Sequence, residues 1–226
     1  MAAVADWATI SALATAGGTL VLAVATFASV RSGTQAARIA ENALRVGLRP
    51  VLFPSRPNDI AQRLLWGDHH LASLGGEQAI MDVVDGIVYL AISLRNVGSG
   101  IAVLRGWRIE VMDDPMSPTA AADDRRAGTV RPDPAEFRPQ GRDLYVPPGD
   151  VSFWQAALRG ADDPGREAIV DAIASGDRVI VDLLYGDHEG GQATISRFGV
   201  VRSSEDGTTW FCSVIRHWNL DRPDPR

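Results

Sequence analysis

Hydrophobic and uncharged positions form one unbroken run near the N-terminus, from Ala8 to Val30 (ATISALATAGGTLVLAVATFASV). No charged side chain interrupts these 23 residues. At about 1.5 Å per residue, a helix of this length reaches the roughly 30 Å of a bilayer's hydrocarbon core. Trp7 stands just before the run, where an aromatic ring suits the lipid headgroups, and Arg31 closes it. The pattern predicts an N-terminal transmembrane segment within residues 1–31.

Two other interpretations of this run are a buried helix of a soluble protein and a cleaved signal peptide. The first stays open because alanine, glycine, serine and threonine make the run only weakly hydrophobic. The second is disfavoured because the residues before the run include Asp6 and no basic residue, whereas a signal peptide begins with positive charge.

The charges on the two sides of the run predict its orientation. Four arginines follow it, offset only by Glu41, and none precedes it. By the positive-inside rule, the protein is expected to cross the cell membrane once, with its C-terminal domain in the cytoplasm. The four residues are Arg31, Arg38, Arg45 and Arg49.

Small residues recur four positions apart within the run, where they fall on one face of a helix. Ala12 pairs with Ala16, and Ala14 pairs with Gly18. Such spacing lets two helix backbones approach closely in lipid, so these residues are candidates for helix association in a homo-oligomer. Alanine-rich helices also show this spacing by chance.

Residues 32–49 predict a helical stalk after a possible break at Ser32-Gly33. Its end is expected at Arg49-Pro50, because the residue before a proline favours extended geometry. The stalk either pairs with its copies, lies along the membrane surface, or serves as a plain spacer helix. The apolar positions on its one predicted face are Ala36, Ile39, Ala43 and Val46.

Beyond Pro50 the hydrophobic pattern changes to the period of two that is typical of half-buried strands. Strands are predicted over 86–96 and 101–112, and the turn between them favours a hairpin. Residues 54–76 predict a loop. Further strands are predicted at 51–53, 143–146, 151–158, 178–185, 192–202 and 208–214.

A short helix is predicted between Asp162 and Gly176. The predicted core residues of the domain are Trp107, Trp154, Trp210 and Cys212.

The fold class that follows from the predicted elements is mainly β. An antiparallel, immunoglobulin-like β-sandwich with one short inserted helix is expected over residues 50–216. Residues 217–226 predict a flexible tail, since two prolines there oppose regular structure.

Composition limits the partners of the domain. From Pro50 onward, 18 arginines face 26 acidic residues, a net charge of about −8. This sign argues against a nucleic-acid partner and against a broad electrostatic grip on anionic lipid. Cys212 is the single cysteine, so no internal disulfide can form.

Candidate chemistry in the sequence is sparse. The adjacent histidines His69 and His70 lack a second spaced pair of ligands, and the neighbours of His188 cannot all reach one ion from a tight turn. The paired aspartates within 113–139 lack the spacing of a calcium loop, and a long solvated loop is the better interpretation. No nucleophile, zinc-hydrolase, phosphate-loop or dinucleotide motif is present. We therefore predict no catalytic, cofactor-binding or metal-binding residue.

The order of these features resembles small single-pass, membrane-anchored bacterial proteins of unknown function. The matching features are the span, the stalk ending in Arg49-Pro50, the stretch LRNVGSGIA (94–102) and the late strand VIVDLLYGD (179–187). The resemblance implies an immunoglobulin-like β-sandwich and brings no catalytic residue.

Three functions are compatible with the sequence. We expect a membrane-anchored module for protein interaction or self-assembly at the cytoplasmic face, with membrane lipid and either its own copies or an unidentified protein as partners. The alternatives are a membrane-tethered enzyme whose site is assembled from distant strands, and a subunit of a homo-oligomeric pore. Clustering of His69, His70, His188 and His217 would favour the enzyme.

Overall fold

The computed structural model describes residues 7–112, 130–204 and 206–224, apart from the side chains of residues 8, 9, 42 and 44–46. The chain divides into two compact units, residues 1–47 and residues 48–226. The paired aspartates 113–114 and 123–124 lie outside the described residues.

The first unit contains one helix, α1 (Trp7–Gly47). It runs without interruption through Ser32-Gly33, so the predicted break is wrong. Serine and glycine lower helix propensity, but unlike proline they keep the N–H group that the helix hydrogen bonds need. The stretch Ile10–Glu41 is long and apolar enough to cross a membrane. Its large apolar side chains are exposed, as in Leu13, which is 68% exposed.

Hydroxyl groups in the apolar stretch have hydrogen-bond partners inside the helix. Thr15 Oγ1 donates to the carbonyl oxygen of Ser11 at 2.9 Å, and Thr19 Oγ1 donates to that of Thr15 at 2.8 Å. Such bonds remove the main cost of placing these hydroxyls in hydrocarbon. The threonines are therefore compatible with a membrane span.

The second unit is mainly β, as the alternating pattern predicts. One further α-helix, α2 (Arg166–Ser175), and a 3-10 helix (Pro134–Glu136) occur in its described part. The strands are β1 (Leu52–Phe53), β2 (Gln62–Leu65), β3 (Leu71–Leu74), β4 (Gln78–Val84), β5 (Ile87–Asn96), β6 (Ala102–Val111), β7 (Arg138–Val146), β8 (Val151–Leu158), β9 (Val179–Asp187), β10 (Ala193–Arg202) and β11 (Trp210–Asn219).

Nine of these strands form one antiparallel sheet. It runs in the order β8, β5, β4, β11, β10, β9, β6, β7, and β1 adds to β5. The link between β4 and β11 is short, because only Ala79 and Gln78 have partners there, Trp210 and Phe211. This weak link divides the sheet into a first half (β1, β4, β5, β8) and a second half (β6, β7, β9, β10, β11).

The sheet curls so that its two halves share one hydrophobic core. Trp154 on β8 and Trp107 on β6 meet edge to face, with ring centroids 5.5 Å apart. Helix α2 adds Ile169 and Ala172 to the same core. Other buried members come from both halves: Val88, Leu90, Ile92, Leu104, Val181, Leu183, Phe198, Val200, Trp210 and Cys212. The core positions predicted for Trp154, Trp210 and Cys212 are confirmed, and Trp107 packs against them half-buried.

A β2–β3 hairpin covers the outer face of the first half, so the loop predicted over residues 54–76 is wrong. Leu64 and Trp66 pack there against Tyr89 and Ala91. Each strand of the hairpin has only four residues, which is too short to show a period of two.

The hairpin predicted from residues 86–96 and 101–112 is also wrong, although both strands exist. β5 pairs with β1, β4 and β8, whereas β6 pairs with β7 and β9. The connection between them therefore crosses from one half of the sheet to the other. The connection from β7 to β8, at Pro147–Asp150, crosses back in the same way.

The side chain of Asn96 holds these two crossings together. Its Oδ1 accepts the backbone N–H groups of Val51 at 3.2 Å and Gly98 at 3.0 Å. Its Nδ2 donates to the carbonyl oxygens of Gly100 at 2.7 Å and Val146 at 2.9 Å. Asn96 is completely buried, and the two bonds that its Nδ2 donates are buried with it, whereas the bonds from Val51 and Gly98 are partly buried. Residues 96–100, whose sequence favours a hairpin turn, instead form a corner at which the chain passes from one half of the sheet to the other.

The beginning of the second unit is tied to its end by Arg49. The guanidinium donates to Thr194 Oγ1 at 3.0 Å and to Asn219 Oδ1 at 3.1 Å, and it forms an ion pair with Asp221. Arg49 is only 7% exposed. Its charge is therefore neutralised within the domain and does not count toward the positive-inside rule.

The flexible tail predicted over residues 217–226 is wrong for its first part. β11 continues to Asn219, and Trp218 is only 1% exposed. Asn219 Nδ2 also donates to the carbonyl oxygen of Pro223 at 3.0 Å. Pro223 lies outside the strand as expected, whereas Trp218 is part of the strand and of the buried interior.

Candidate binding groove

A groove lies between β7 and β8, the two strands at the ends of the curled sheet. Its volume is about 790 Å³. The strand residues that line it are Pro139, Gln140, Gly141, Arg142 and Leu144 on β7, and Phe153, Gln155, Ala156 and Ala157 on β8. It is also lined by Trp107 of β6, by residues 66–68 before β3, and by Arg159 after β8. We call it the seam groove, because it is the place where the curled sheet does not close.

The seam opens where β7 leaves its partner strand. Leu104 of β6 lies opposite Leu144, but two residues later Gly106 lies opposite Pro139, five residues away on β7. The additional residues of β7, around Gly141, therefore bow out of the ladder. Pro139 has no N–H group, and glycine weakens a strand, so the sequence favours an irregular edge here.

The opposite wall, β8, is a regular strand with one free edge. Among the described strands it pairs with β5 alone. Backbone groups in an antiparallel strand point alternately to its two sides, so about half of those on β8 face the seam. Such an edge can accept an additional strand.

Two side-chain oxygens in the groove lack hydrogen-bond partners. Gln140 Oε1 on β7 and Gln155 Oε1 on β8 are shielded from solvent, and no donor in the described part of the chain reaches either. The amide nitrogen of Gln155 is held in place, because it donates to the carbonyl oxygen of Leu65 at 3.2 Å. A buried unsatisfied acceptor is destabilising, so each of these oxygens is a local cost next to the groove.

One end of the groove is formed by a polar cluster around Asp68. The carboxylate accepts the hydroxyl of Tyr89 at 2.7 Å and the guanidinium of Arg159 at 3.1 Å. The hydrogen bond from Tyr89, above all, lowers the pKa of Asp68 to about 2. The ring of His70 stacks on Tyr89, 3.9 Å between centroids. His70 thus supports this end of the groove and is half-buried, whereas the neighbouring His69 is exposed.

Arg142, on the other wall, is exposed and has no ion-pair partner among the residues described. The Arg159 charge is balanced by Asp68. The groove therefore carries one uncompensated positive charge at its rim, in a domain whose overall charge is negative.

A second polar network lies on the outer face of the second half, around Asp182. This fully buried carboxylate accepts two bonds from Arg197, at 2.7 and 2.8 Å, and one from Arg108 at 3.0 Å. Arg197 also lies over the ring of Trp218, 5.2 Å from its centroid. Both carboxylate oxygens are satisfied, so the network stabilises the sheet and leaves no free group for a ligand.

Ser196 and His217 form the one serine–histidine contact that the described residues contain. Ser196 Oγ lies 2.6 Å from His217 Nδ1 and 2.8 Å from the hydroxyl of Tyr185. The hydroxyl of Tyr185 also accepts the N–H of Leu52 at 3.1 Å. Ser196 is completely buried, so its hydroxyl cannot reach a substrate, and the contact acts as a link between β10, β9 and β11.

Stability is expected to fall when the pH drops below about 6.5, because burial lowers the pKa of His217 from its ordinary value of 6.5. The unfolded chain then binds a proton that the folded chain does not bind until a lower pH. Urea unfolding between pH 7 and pH 5 measures this loss, and His217→Gln should make the pH dependence shallower. An identical pH dependence in the variant would contradict this role of His217.

The four histidines do not come together. His69 and His70 lie between β2 and β3, His188 follows β9, and His217 lies in β11. Within the described ranges, no group of three or more histidine, cysteine, aspartate or glutamate residues is placed to hold a metal ion. The clustering that would favour an enzyme is therefore absent from these residues.

The residues predicted for helix association lie on α1, where their side chains are exposed. They are Ala12, Ala14, Ala16 and Gly18. A methyl group added at Gly18 would have no neighbour within 4 Å. The predicted stalk residues Ile39 and Ala43 are also exposed, and the side chain of Val46 lies outside the described residues. The predicted association stays a prediction.

Comparisons with known proteins add no family. No protein-family model matches the chain, and neither a curated protein nor a solved structure is significantly similar to it. The resemblance to membrane-anchored bacterial proteins accordingly stays a prediction.

No pattern in the sequence identifies the residues of this groove. Gln140, Arg142 and Gln155 belong to no motif, and they meet only because the ends of the sheet curl toward each other. One local signal was present: Pro139 and Gly141 interrupt the apolar alternation, which is typical of a strand edge.

Proposed function

We propose that this protein is a membrane-anchored binding module whose seam groove contacts another polypeptide at the cytoplasmic face. The observation that carries the proposal is the groove itself, which lies between two sheet edges and is lined in part by the half-buried rings of Trp107 and Phe153. Polypeptides commonly bind at free sheet edges, because their backbone groups continue the ladder.

The cytoplasmic orientation is part of this proposal. It is supported by Arg31 and Arg38, which follow the apolar run, and by Arg45 later in α1. Since the charge of Arg49 is compensated by Asp221, three arginines remain to favour this orientation.

We also propose the immunoglobulin-like sandwich as the form of the domain. Its support is the pair of connections, β5 to β6 and β7 to β8, that cross between the two halves of the sheet. Such crossings are typical of two packed antiparallel sheets. The resemblance to small membrane-anchored bacterial proteins is likewise part of this proposal.

Photo-crosslinking inside cells tests the binding function. A benzoylphenylalanine residue fits at Gly67, in the turn at one end of the groove, and at Gly141 on β7, because a Cβ at either would meet nothing within 4 Å. Gly191, in the turn after β9, is a matched control: it is exposed and its added Cβ would make only ordinary contact. We expect ultraviolet light to attach a defined polypeptide at the two groove positions and not at Gly191.

Equal labelling at all three positions would show random collision, and absence of adducts at both groove positions would contradict the proposal. Mass spectrometry of the adduct identifies the bound segment. If that segment comes from this same chain, the module serves self-assembly through its domain.

Self-assembly through the membrane helix is a separate prediction. Gly18→Leu should reduce any oligomer mass of the detergent-solubilised full chain toward that of a monomer, because a large side chain blocks close helix approach. Gly17→Leu is the matched control, since an added Cβ there is equally open but points about 100° away around the helix. Light scattering measures both masses. A wild-type monomer, or equal effects of both substitutions, would exclude association through this face.

A further inference from the structure

We infer that the seam groove is specific for an extended peptide segment that carries an acidic side chain, bound along β8 with its carboxylate at Arg142. The inference rests on the proposed binding function and names the chemistry of its partner. Its support comes from the backbone edge, the glutamine oxygens and the charge of the groove.

The free edge of β8 favours an extended ligand. Val151–Leu158 is a regular strand of eight residues, about 26 Å long at 3.3 Å per residue. An extended peptide beside it would pair its N–H and C=O groups with those that face the seam. A helix would satisfy its own backbone groups and could not do this.

The two glutamine oxygens add a requirement for hydrogen-bond donors. Gln140 Oε1 and Gln155 Oε1 lie on opposite walls, and both lack a donor among the described residues. An extended peptide presents N–H groups on both of its edges, because successive residues point to opposite sides. A segment lying between β7 and β8 therefore directs N–H groups toward both walls, and it reaches the two oxygens when the glutamine side chains turn toward the groove.

The apolar part of the lining accommodates alternate side chains. Trp107 and Phe153 both line the groove and are only partly buried. Side chains that alternate along an extended segment would place every second residue toward this surface. A ligand with apolar residues two positions apart fits this pattern.

Charge distinguishes an acidic segment from other peptides. Arg142 has no acidic partner in the described structure, whereas Arg159 is paired with Asp68. The domain as a whole is acidic, so an uncompensated arginine at the groove gives an acidic segment a local attraction that the net charge does not. A carboxylate on a segment that lies in the groove would find a charge-assisted contact at Arg142.

Selection from a phage-displayed library of random seven-residue peptides tests the inference. The bait is the full-length chain in lipid nanodiscs. We expect enriched peptides to contain at least one aspartate or glutamate, apolar residues in alternation, and no proline in the paired stretch, since proline lacks the donor that the ladder needs.

The recovered peptides are then titrated against two variants. Arg142→Glu should weaken binding about tenfold or more, because it replaces a charge-assisted contact by repulsion. Arg63→Glu is the control: Arg63 is exposed on β2 and does not line the groove, so the same charge change should leave the affinity unchanged. Replacing the peptide's acid by its amide should weaken binding to the wild-type chain and not to Arg142→Glu.

Three results would overturn the inference. They are enrichment of basic or proline-rich peptides, equal affinity for the wild-type chain and Arg142→Glu, and a groove occupied by a second copy of the chain. If these occur while photo-crosslinks persist at Gly67 and Gly141, the binding function stands and only the acidic, extended partner is wrong. Loss of those crosslinks as well would remove the proposed function itself.

Discussion

Replacing Asn96 with alanine is expected to lower the free energy of unfolding of the domain by about 3 kcal/mol or more. The substitution removes four hydrogen bonds that the buried amide makes. The carbonyl oxygens of Gly100 and Val146 then lose a donor in a region shielded from water. Each such unsatisfied group costs about 1–3 kcal/mol. Urea unfolding followed by tryptophan fluorescence measures the change.

Asn58→Ala is the matched control, because Asn58 is an exposed turn residue. A change of no more than about 0.5 kcal/mol is expected there. Asn96→Asp separates the two roles of the amide, since aspartate retains the acceptor toward Val51 and Gly98 but loses the donor toward Gly100. If Asn96→Ala unfolds at the same urea concentration as the wild type, the buried corner does not hold the two crossings together.

Replacing Arg49 with methionine is expected to lower the free energy of unfolding by about 2–4 kcal/mol. Methionine retains the apolar part of the side chain but leaves the carboxylate of Asp221, the hydroxyl of Thr194 and the amide of Asn219 without the guanidinium. Both the first residues of the domain and the end of β11 should then lose order. Thermal unfolding and amide hydrogen exchange near residues 194 and 219 measure the effect.

The same ion pair predicts a pH dependence. Burial opposes ionisation of Asp221, but hydrogen bonds from Arg49 and from the N–H of Ala193 outweigh it and lower the pKa of Asp221 below its ordinary value of 3.8. The unfolded chain therefore binds this proton first as the pH falls, and the contribution to stability is lost on acidification below about pH 4. Arg49→Met should reduce that loss.

Arg63→Met is the control for the loss of an arginine, because Arg63 is exposed on β2. Its effect should stay within about 0.5 kcal/mol. Equal stability of Arg49→Met and Arg63→Met would contradict the buried ion pair of Arg49. Arg49 would then be a surface charge and would add to the arginines that favour a cytoplasmic C-terminal side.

The elements that the sequence predicts well are those whose pattern is long and local. The apolar run from Ala8 to Val30 lies within one helix, and the period of two identifies β5 and β6. Gly176, which the sequence predicts as the end of a helix, has a φ of 87° and follows α2 directly. Such a conformation is easy for glycine and costly for most other residues.

The pairing of strands could not be predicted in the same way. A glycine-rich turn between two alternating strands usually means a hairpin, and β5 and β6 have that pattern. Whether the turn reverses the chain or crosses between layers depends on Asn96, whose partners Val51 and Val146 are about 50 residues distant along the chain. A single sequence does not reveal contacts of that separation.

The candidate groove was hidden for the same reason. Its two walls, at Gln140 and Gln155, lie on strands that are not paired with each other, and the residues have no shared motif. The sequence also does not show which arginines are buried. Arg49 has the same charge as the other arginines that follow the apolar run, but in the structure it is buried and paired with Asp221. Arg142, in contrast, is exposed.

The most direct test of a membrane-anchored, independently folded domain compares the full chain with the fragment that begins at Leu48. Both are expressed in the same cells, and membranes are extracted with alkaline carbonate. The full chain should remain in the membrane pellet, while the fragment should stay in the soluble fraction and unfold cooperatively in urea. A full chain that is released by carbonate, or a fragment that has no cooperative transition, would contradict the account.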